Sequence, residues 1–387
     1  MKHRLVHLDC LRGVAALLVC FEHLRAFLFL PYTRLSGSGW LAKLFYFWTG
    51  LGHQAVMIFF VMSGFLVGGS VISAHQNGKW SWGGYALRRM TRLWMVLLPA
   101  LMLTLFWDGW GRHQSPDGYQ GAYSLDYHSG PSVGRPADLR LTTFLGNSLF
   151  LQTIVVNCFG TNGPLWSLAN EFWYYLLFPL LLGSFLTRGW MGRCLHAGFA
   201  GAILFCLPAG ILCGGLVWLL GAAVFALVQQ AQFRRWAVQP SWLLVSGVLA
   251  FGLLLASRME KLGACADLIL GGGFACLVMA LAVRPATPSM PGKASFISSP
   301  LVNLYARLAA GASEFSYTLY LVHFPLLAFI FYTAFHGQQL APGLLGAVWF
   351  GGLSVLMLLY AGGIWWCFER NTDRFRKWIE QVGPLNL

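Results

Sequence analysis

Ionisable side chains inside apolar runs cost several kcal/mol each in a membrane-like interior, so their types and spacing are read first as chemistry. Arg12 and His23 stand 11 residues apart in one such run. That is three helical turns plus about 20°, so a helix presents both on one face, with His23 about 16 Å beyond Arg12. Neutral imidazole moves protons near pH 7, which makes His23 a general-base candidate; the bland alternative is a buried histidine bonded to a neighbouring helix. Glu22 lies about 100° round the helix from His23 and pairs more simply with Arg25, one turn on. A second run opens at Pro164, a residue suited to a helix start, and carries Glu171 about 9 Å inside. Residue counting brings Glu171 within a turn or so of the depth of His23. A structural bond from Glu171 to Tyr175, at i+4, is the competing reading.

Three further groups have suggestive spacing. Ser316, Tyr320 and His323 recur at i, i+4 and i+7, a single polar stripe, with Pro325 placed to bend the helix beyond it. Ser63-Gly64, inside Phe59-Phe60-Val61-Met62-Ser63-Gly64-Phe65, permits close helix approach, and packing alone explains the pair. Arg88, Arg89 and Arg92 fall at i, i+1 and i+4. Clustered guanidinium groups bind phosphate through several planar donors, and they also act as orientation signals beside a membrane span. The nine cysteines contain no CxxC pair and sit mostly inside apolar runs, so no metal site is expected.

The elements that hold these residues follow from composition. Of 387 residues, 26 are Lys or Arg and 13 are Asp or Glu; charged residues make up 10%, hydrophobic 57% and aromatic 16%. Mean hydropathy is +0.62. A water-soluble domain carries about 25% charged residues, so a soluble enzyme is excluded, and disordered chains lack such aromatic content. The fold expected is all-α, a polytopic membrane bundle of about ten transmembrane helices. The segments are 11–30, 51–72, 90–107, 165–186, 196–213, 214–231, 241–257, 266–283, 315–335 and 342–366, the fifth and sixth joined by a turn at Cys213-Gly214-Gly215. One integral membrane domain over 1–387 is expected. Its longest polar stretch, 108–141, leads into a half-length apolar piece at 142–156 that suits an interfacial or re-entrant segment, both within a loop over 108–164. A short tail, 367–387, ends the chain.

The net charge of +13 is spread in twos to fours between apolar runs, which argues against a nucleic-acid partner. With ten spans, Arg25, Arg34, Lys43, Arg112, Arg135, Arg140, Arg258 and Lys261 fall on one side. The other 18, Lys2, Arg4 and Lys293 among them, share the side of both termini. The bias puts the termini and the tail in the cytoplasm and the 108–164 stretch outside. There Trp107, Trp110, Tyr119, Tyr123 and Tyr127 either stack on sugar faces or anchor the interface.

Five strings in order make the chain resemble the acyltransferase-3 family of integral membrane acyltransferases. Leu8-Asp9-Cys10-Leu11-Arg12-Gly13 with His23 is similar to its LDxLRG opening and Arg-x10-His signature. Phe59 to Phe65 resembles FFVxSGF, and Arg89-Met90-Thr91-Arg92 resembles RxxR. Pro164 to Glu171 resembles PLWSLxxE, which brings in Trp166, and Phe315 to Pro325 resembles SYxxYLxHxP. Cys10 and Met57 depart from the pattern, which has Gly and often Asp there. The resemblance implies a bacterial inner-membrane enzyme that transfers an acyl group, usually acetyl, from cytoplasmic acetyl-CoA to a hydroxyl. The acceptor it implies is an exopolysaccharide, O-antigen or other surface glycan, free or lipid-linked. It further implies His23 and Glu171 as catalytic, Arg12, Arg88, Arg89 and Arg92 as the CoA-binding groups, and Ser63, Trp166, Tyr175, Ser316, Tyr320 and His323 in support. No metal enters this chemistry, and the sequence leaves the oligomeric state open. A secondary transporter or glycan flippase is the competing class, since intramembrane His, Glu and Arg also couple protons.

Overall fold

Apolar runs become helices because backbone surrounded by lipid must satisfy its own N–H and C=O groups. In a computed structural model, residues 5–35, 39–123, 130–284 and 300–382 are described; Lys2, Arg4, Tyr127 and Lys293 lie outside them. The helices are α1 (Val6–Leu28), α2 (Trp40–Trp48), α3 (Gly52–Ser63), α4 (Gly69–Gln76), α5 (Trp82–Gln114), α6 (Pro116–Tyr119), α7 (Leu141–Ser148), α8 (Leu165–Leu186) and α9 (Trp190–Cys206). They continue as α10 (Ala209–Val228), α11 (Ala231–Val238), α12 (Pro240–Arg258), α13 (Ala266–Ala282), α14 (Pro300–Glu314), α15 (Ser316–Thr333), α16 (Leu344–Cys367) and α17 (Thr372–Val382). The protein is an all-α, polytopic membrane protein. Among the described residues, Trp40–Gln76, Trp82–Gln114, Ala209–Val228, Pro240–Arg258, Gly263–Ala282, Ser316–Thr333 and Leu344–Val382 are long and apolar enough to cross a bilayer. The other three expected segments are helical as α1, α8 and α9.

Several boundaries differ from expectation, each for a local reason. The break between the fifth and sixth segments falls at Leu207-Pro208, because Pro208 has no N–H to continue α9 and instead precedes α10. Gly214 and Gly215 lie within α10, where their missing side chains admit the Tyr174 ring. Helix α5 begins at Trp82, capped by Ser81 Oγ, which accepts from Gly84 N at 3.3 Å. Arg88, Arg89 and Arg92 therefore belong to its second and third turns. Of the 142–156 piece, only Leu141–Ser148 is helical. The amphipathic α14 and α17 were not anticipated.

The chain forms two compact units, interleaved along the sequence. One comprises the described part of Met1–Ala15 with Gln54–Trp80 and Asn170–Glu314. In it a π-helical turn, Gly64–Gly68, links α3 to α4 and packs on α10. The contact is backbone on backbone: Gly64 sits under the Trp218 carbonyl, and Gly221 sits under that of Val61. Gly271 of α13 meets Val217 of α10, and Gly13 of α1 meets Ala312 of α14. These small residues set the helix spacing, because lipid supplies no hydrophobic force between helices and close packing must.

The second unit comprises Ala16–His53, Ser81–Ala169 and the described part of Phe315–Leu387. Its centre is α15, packed between α5 and α16 and buried over most of its length. Glu369, just after α16, caps the start of α15: its Oε2 accepts from Thr318 Oγ1 at 2.5 Å and Thr318 N at 3.3 Å. Trp107 of α5 donates to Tyr360 Oη of α16 at 2.9 Å and packs on Phe329 of α15. Arg140 and Thr143 donate to Asp138 and fix the entry to α7; the Arg140 hydrogen bonds hold the Asp138 carboxyl well below the usual carboxylate range.

Candidate functional site

The second unit brings two of the sequence-selected residues into direct contact. His23 Nδ1 lies 2.9 Å from His323 Nε2. The ring centroids are 5.1 Å apart and the planes differ by 22°. That separation fits two rings joined edge to edge by an in-plane hydrogen bond. Phe324 packs edge-on against the His23 ring, with centroids 5.0 Å apart. His323 is 1% exposed, and its Nδ1 lies 2.8 Å from the Leu319 carbonyl one turn back.

The α15 backbone around this pair is fixed by residues that no motif had singled out. Pro325 has no N–H, so the Leu321 carbonyl loses its helical partner. Asn162 Nδ2 supplies the missing donor at 2.9 Å. Asn162 is held in turn by the loop before α8, where Thr161 N and Oγ1 donate to Asp108 at 2.6 and 2.9 Å. Asp108, Thr161 and Asn162 are fully buried. The signal that could have located them is Asp108 itself, a lone acid at the end of an apolar run, which requires donors wherever it is buried. Five residues before Pro325, Tyr320 Oη lies 2.7 Å from Ser167 Oγ and donates to the Pro164 carbonyl at 3.3 Å. The fourth and fifth strings therefore meet at Tyr320. Ser316 is buried at the first turn of α15, and Trp166 is part-buried at the start of α8.

The first unit holds a second polar chain. Trp218 Nε1 donates to Ser63 Oγ at 3.0 Å, Ser63 Oγ lies 3.2 Å from Tyr175 Oη, and Tyr175 donates to Glu171 Oε2 at 3.2 Å. An indole N–H only donates, and the Tyr175 proton is committed to Glu171, so Ser63 must donate to Tyr175. All three hydrogens run toward the Glu171 carboxylate. The bond between Glu171 and Tyr175 that the structural reading expects is thus present. Trp218 was missed by motif reading; a tryptophan inside an apolar helix needs a partner for its N–H, and that requirement was the available clue.

Arg12, in the same unit, is an ion-paired residue. Its Nη2 lies 2.8 Å from Asp9 Oδ1, its Nε donates to Ser313 Oγ at 2.8 Å, and Ser313 donates to Asp9 at 2.9 Å. The first string is thus also a structural clamp between α1 and α14. On α5, Arg88 and Arg92 are exposed, whereas Arg89 is turned over the Tyr85 ring at 5.7 Å. Of the aromatics expected on the outer side, Tyr119 is buried against Tyr332, and Tyr123 packs on Phe331 and Tyr332. Packing within the unit accounts for both, and Trp110 is half-exposed.

Apolar helices long enough to cross a bilayer define a multi-pass membrane protein, one unit of which holds a hydrogen-bonded histidine pair and the other a hydrogen-bonded acid. The chain belongs to the acyltransferase-3 family: residues 5–368 match that family's model, described as an acyltransferase domain. The match spans all five strings and makes the protein a membrane acyltransferase. No curated protein and no solved structure matches the chain.

Proposed function

We propose that the protein is an O-acyltransferase of the bacterial inner membrane that moves an acetyl group from cytoplasmic acetyl-CoA to a hydroxyl of an exopolysaccharide, O-antigen or other cell-surface glycan. The observation that carries the reading is the in-plane bond between His23 and His323, which presents an oriented imidazole on a membrane helix. His23 acts on the acceptor hydroxyl as general base, or receives the acyl group itself, and Glu171 is the carboxylate of the reaction. The donor chain from Trp218 through Ser63 and Tyr175 supports a fixed Glu171. Both termini are cytoplasmic in this reading. The acceptor binds on the opposite face, where a cleft of about 480 Å³ lined by Arg140, Thr143, Thr153 and Asn157 offers polar partners for sugar hydroxyls.

Arg88, Arg89 and Arg92 hold the CoA phosphates. Exposed Arg88 and Arg92 project from successive turns of one helix face, as a multidentate phosphate site requires. Replacing both by alanine is expected to weaken acetyl-CoA binding about tenfold, the scale of one lost charge-assisted hydrogen bond. The weakening should shrink for a donor lacking the 3′-phosphate. Unchanged donor affinity together with altered membrane orientation would assign them to topology alone.

The reading as a whole is tested by reconstitution into vesicles of known orientation, with radiolabelled acetyl-CoA on the cytoplasmic face. Label should reach a glycan hydroxyl only when the glycan is on the other face. Labelling confined to acceptor on the donor side would overturn the sidedness and point to a cytoplasmic acceptor. Glycan movement without any acetyl transfer would overturn the acyltransfer reading.

A further inference from the structure

We infer that His323 is a positioning residue that fixes the tautomer of His23 and so makes Nε2 of His23 the basic atom of the transfer, an inference that rests on the reading above. The argument follows the hydrogens. A carbonyl only accepts, so the 2.8 Å approach of His323 Nδ1 to the Leu319 oxygen requires a proton on Nδ1. A neutral His323 then has a bare Nε2. The 2.9 Å contact between that nitrogen and His23 Nδ1 needs one hydrogen between them, and only His23 can supply it. With its proton on Nδ1, neutral His23 keeps a lone pair on Nε2. The alternative, a doubly protonated His323 donating to His23, places a cation at a position 1% exposed in the interior of a membrane helix bundle. Among the described residues no carboxylate bonds either ring. The tautomer of one histidine ring is set by the bond that its other nitrogen makes, so α15 writes its geometry into α1 through this contact. Phe324, edge-on to the His23 ring, fixes the ring plane.

The consequence for the reaction is specific. His23 Nε2 takes the acceptor's hydroxyl proton as the oxygen attacks the thioester carbonyl. The carbon–sulfur bond breaks, the CoA thiolate leaves, and the proton returns from Nε2 to sulfur, giving an ester and free CoA thiol. While the proton resides on His23, the charge-assisted bond from Nδ1 to His323 stabilises the imidazolium. A covalent route through acyl-histidine uses the same lone pair. In this role His323 acts through His23.

The test compares His323→Leu with His323→Glu in purified, nanodisc-embedded protein. Leucine removes the acceptor while filling the buried site, and glutamate retains an acceptor that cannot donate. His323→Leu should lower kcat by about 10²-fold or more with little change in KM for acetyl-CoA, whereas His323→Glu should stay within about tenfold of wild type. A residue needed only for packing would give the reverse order, since an apolar side chain suits a dry site and a charge does not. Solid-state NMR of ¹⁵N-histidine-labelled wild-type protein reads the tautomer with no reference to activity, the His23 signals being assigned by their loss in His23→Ala. Protonated Nδ1 and bare Nε2 on His23 are expected. A wild-type His23 protonated on Nε2, or a fully active His323→Leu, would overturn the inference and leave acyl transfer standing. Full activity of His23→Ala would instead remove the reading on which it rests.

Discussion

His23→Ala is expected to lower acyl transfer by about 10²-fold or more, the range for a lost general base, while the protein still inserts and purifies as a single species. The expectation separates chemistry from folding because the two roles of this imidazole have different magnitudes. Truncation leaves His323 Nε2 without its donor, which destabilises by about 1–3 kcal/mol. A shift of that size moves the unfolding temperature by a few degrees and leaves the protein folded. In the proposed reaction the transfer rate, in contrast, depends on a proton acceptor at one atom, which alanine does not provide. The loss should therefore appear in kcat, with KM for acetyl-CoA little changed. A His23→Gln variant, which can still donate to His323 but is not basic, should recover the lost stability without recovering activity. Near-normal turnover in His23→Ala would dismiss His23 as the base, and with it the reading of the histidine pair as catalytic apparatus.

The largest effect on stability is expected at Gly64. A Cβ there would stand 2.9 Å from the Trp218 carbonyl carbon and 3.1 Å from Ala222 N, besides meeting the carbonyl oxygen itself. All are backbone atoms of α10, so no side chain can turn aside, and helices this close can only separate. Separation also lengthens the bond from Trp218 to Ser63, the first link of the chain that ends on Glu171. Gly64→Val should destabilise the protein by about 3 kcal/mol or more, at or above the top of the usual range for overpacking, and little folded protein should be recovered. Gly272 is the control, because a Cβ there would meet nothing within 4 Å outside its own helix; Gly272→Val should purify normally. Equal thermal stability of the two variants in detergent, followed by fluorescence or by loss of monodisperse protein, would show that the packing of Gly64 carries no such energy.

Much of the fold was legible because its main constraint acts on composition. With no water to bond the backbone, a long apolar run must be helical, and every segment chosen on that ground is helical. Chemistry-bearing residues were legible for a related reason. Arg12, His23, Glu171 and His323 are too expensive in apolar helices to occur without a partner or a use, so composition alone exposes them.

What the sequence left open were ends and facings. The expected turn at Cys213-Gly214-Gly215 lies inside α10, because a glycine pair serves a helix–helix contact as readily as a turn, and only the Tyr174 ring beside it decides which. Helix α5 starts eight residues earlier than its apolar core at 90, since a serine cap and aromatic residues extend it where hydropathy is weak. Residue spacing gives depth along a helix and angle around it; it does not say which neighbour the angle faces. Counting matched His23 to Glu171 by depth, and the bond that His23 makes within its own unit is to His323. In the same way the partners of Ser63 and of the Leu321 carbonyl, Trp218 and Asn162, lie 155 and 159 positions away and belong to no motif. By itself, then, the sequence determined that the chain is a helical membrane protein and which polar residues its helices must accommodate, because those follow from the cost of polar groups in lipid. Only the tertiary structure decided which of them share hydrogens, because helix facing is set by close packing at residues such as Gly64, Gly221 and Gly13, whose contacts are long-range and leave no periodic trace in the chain.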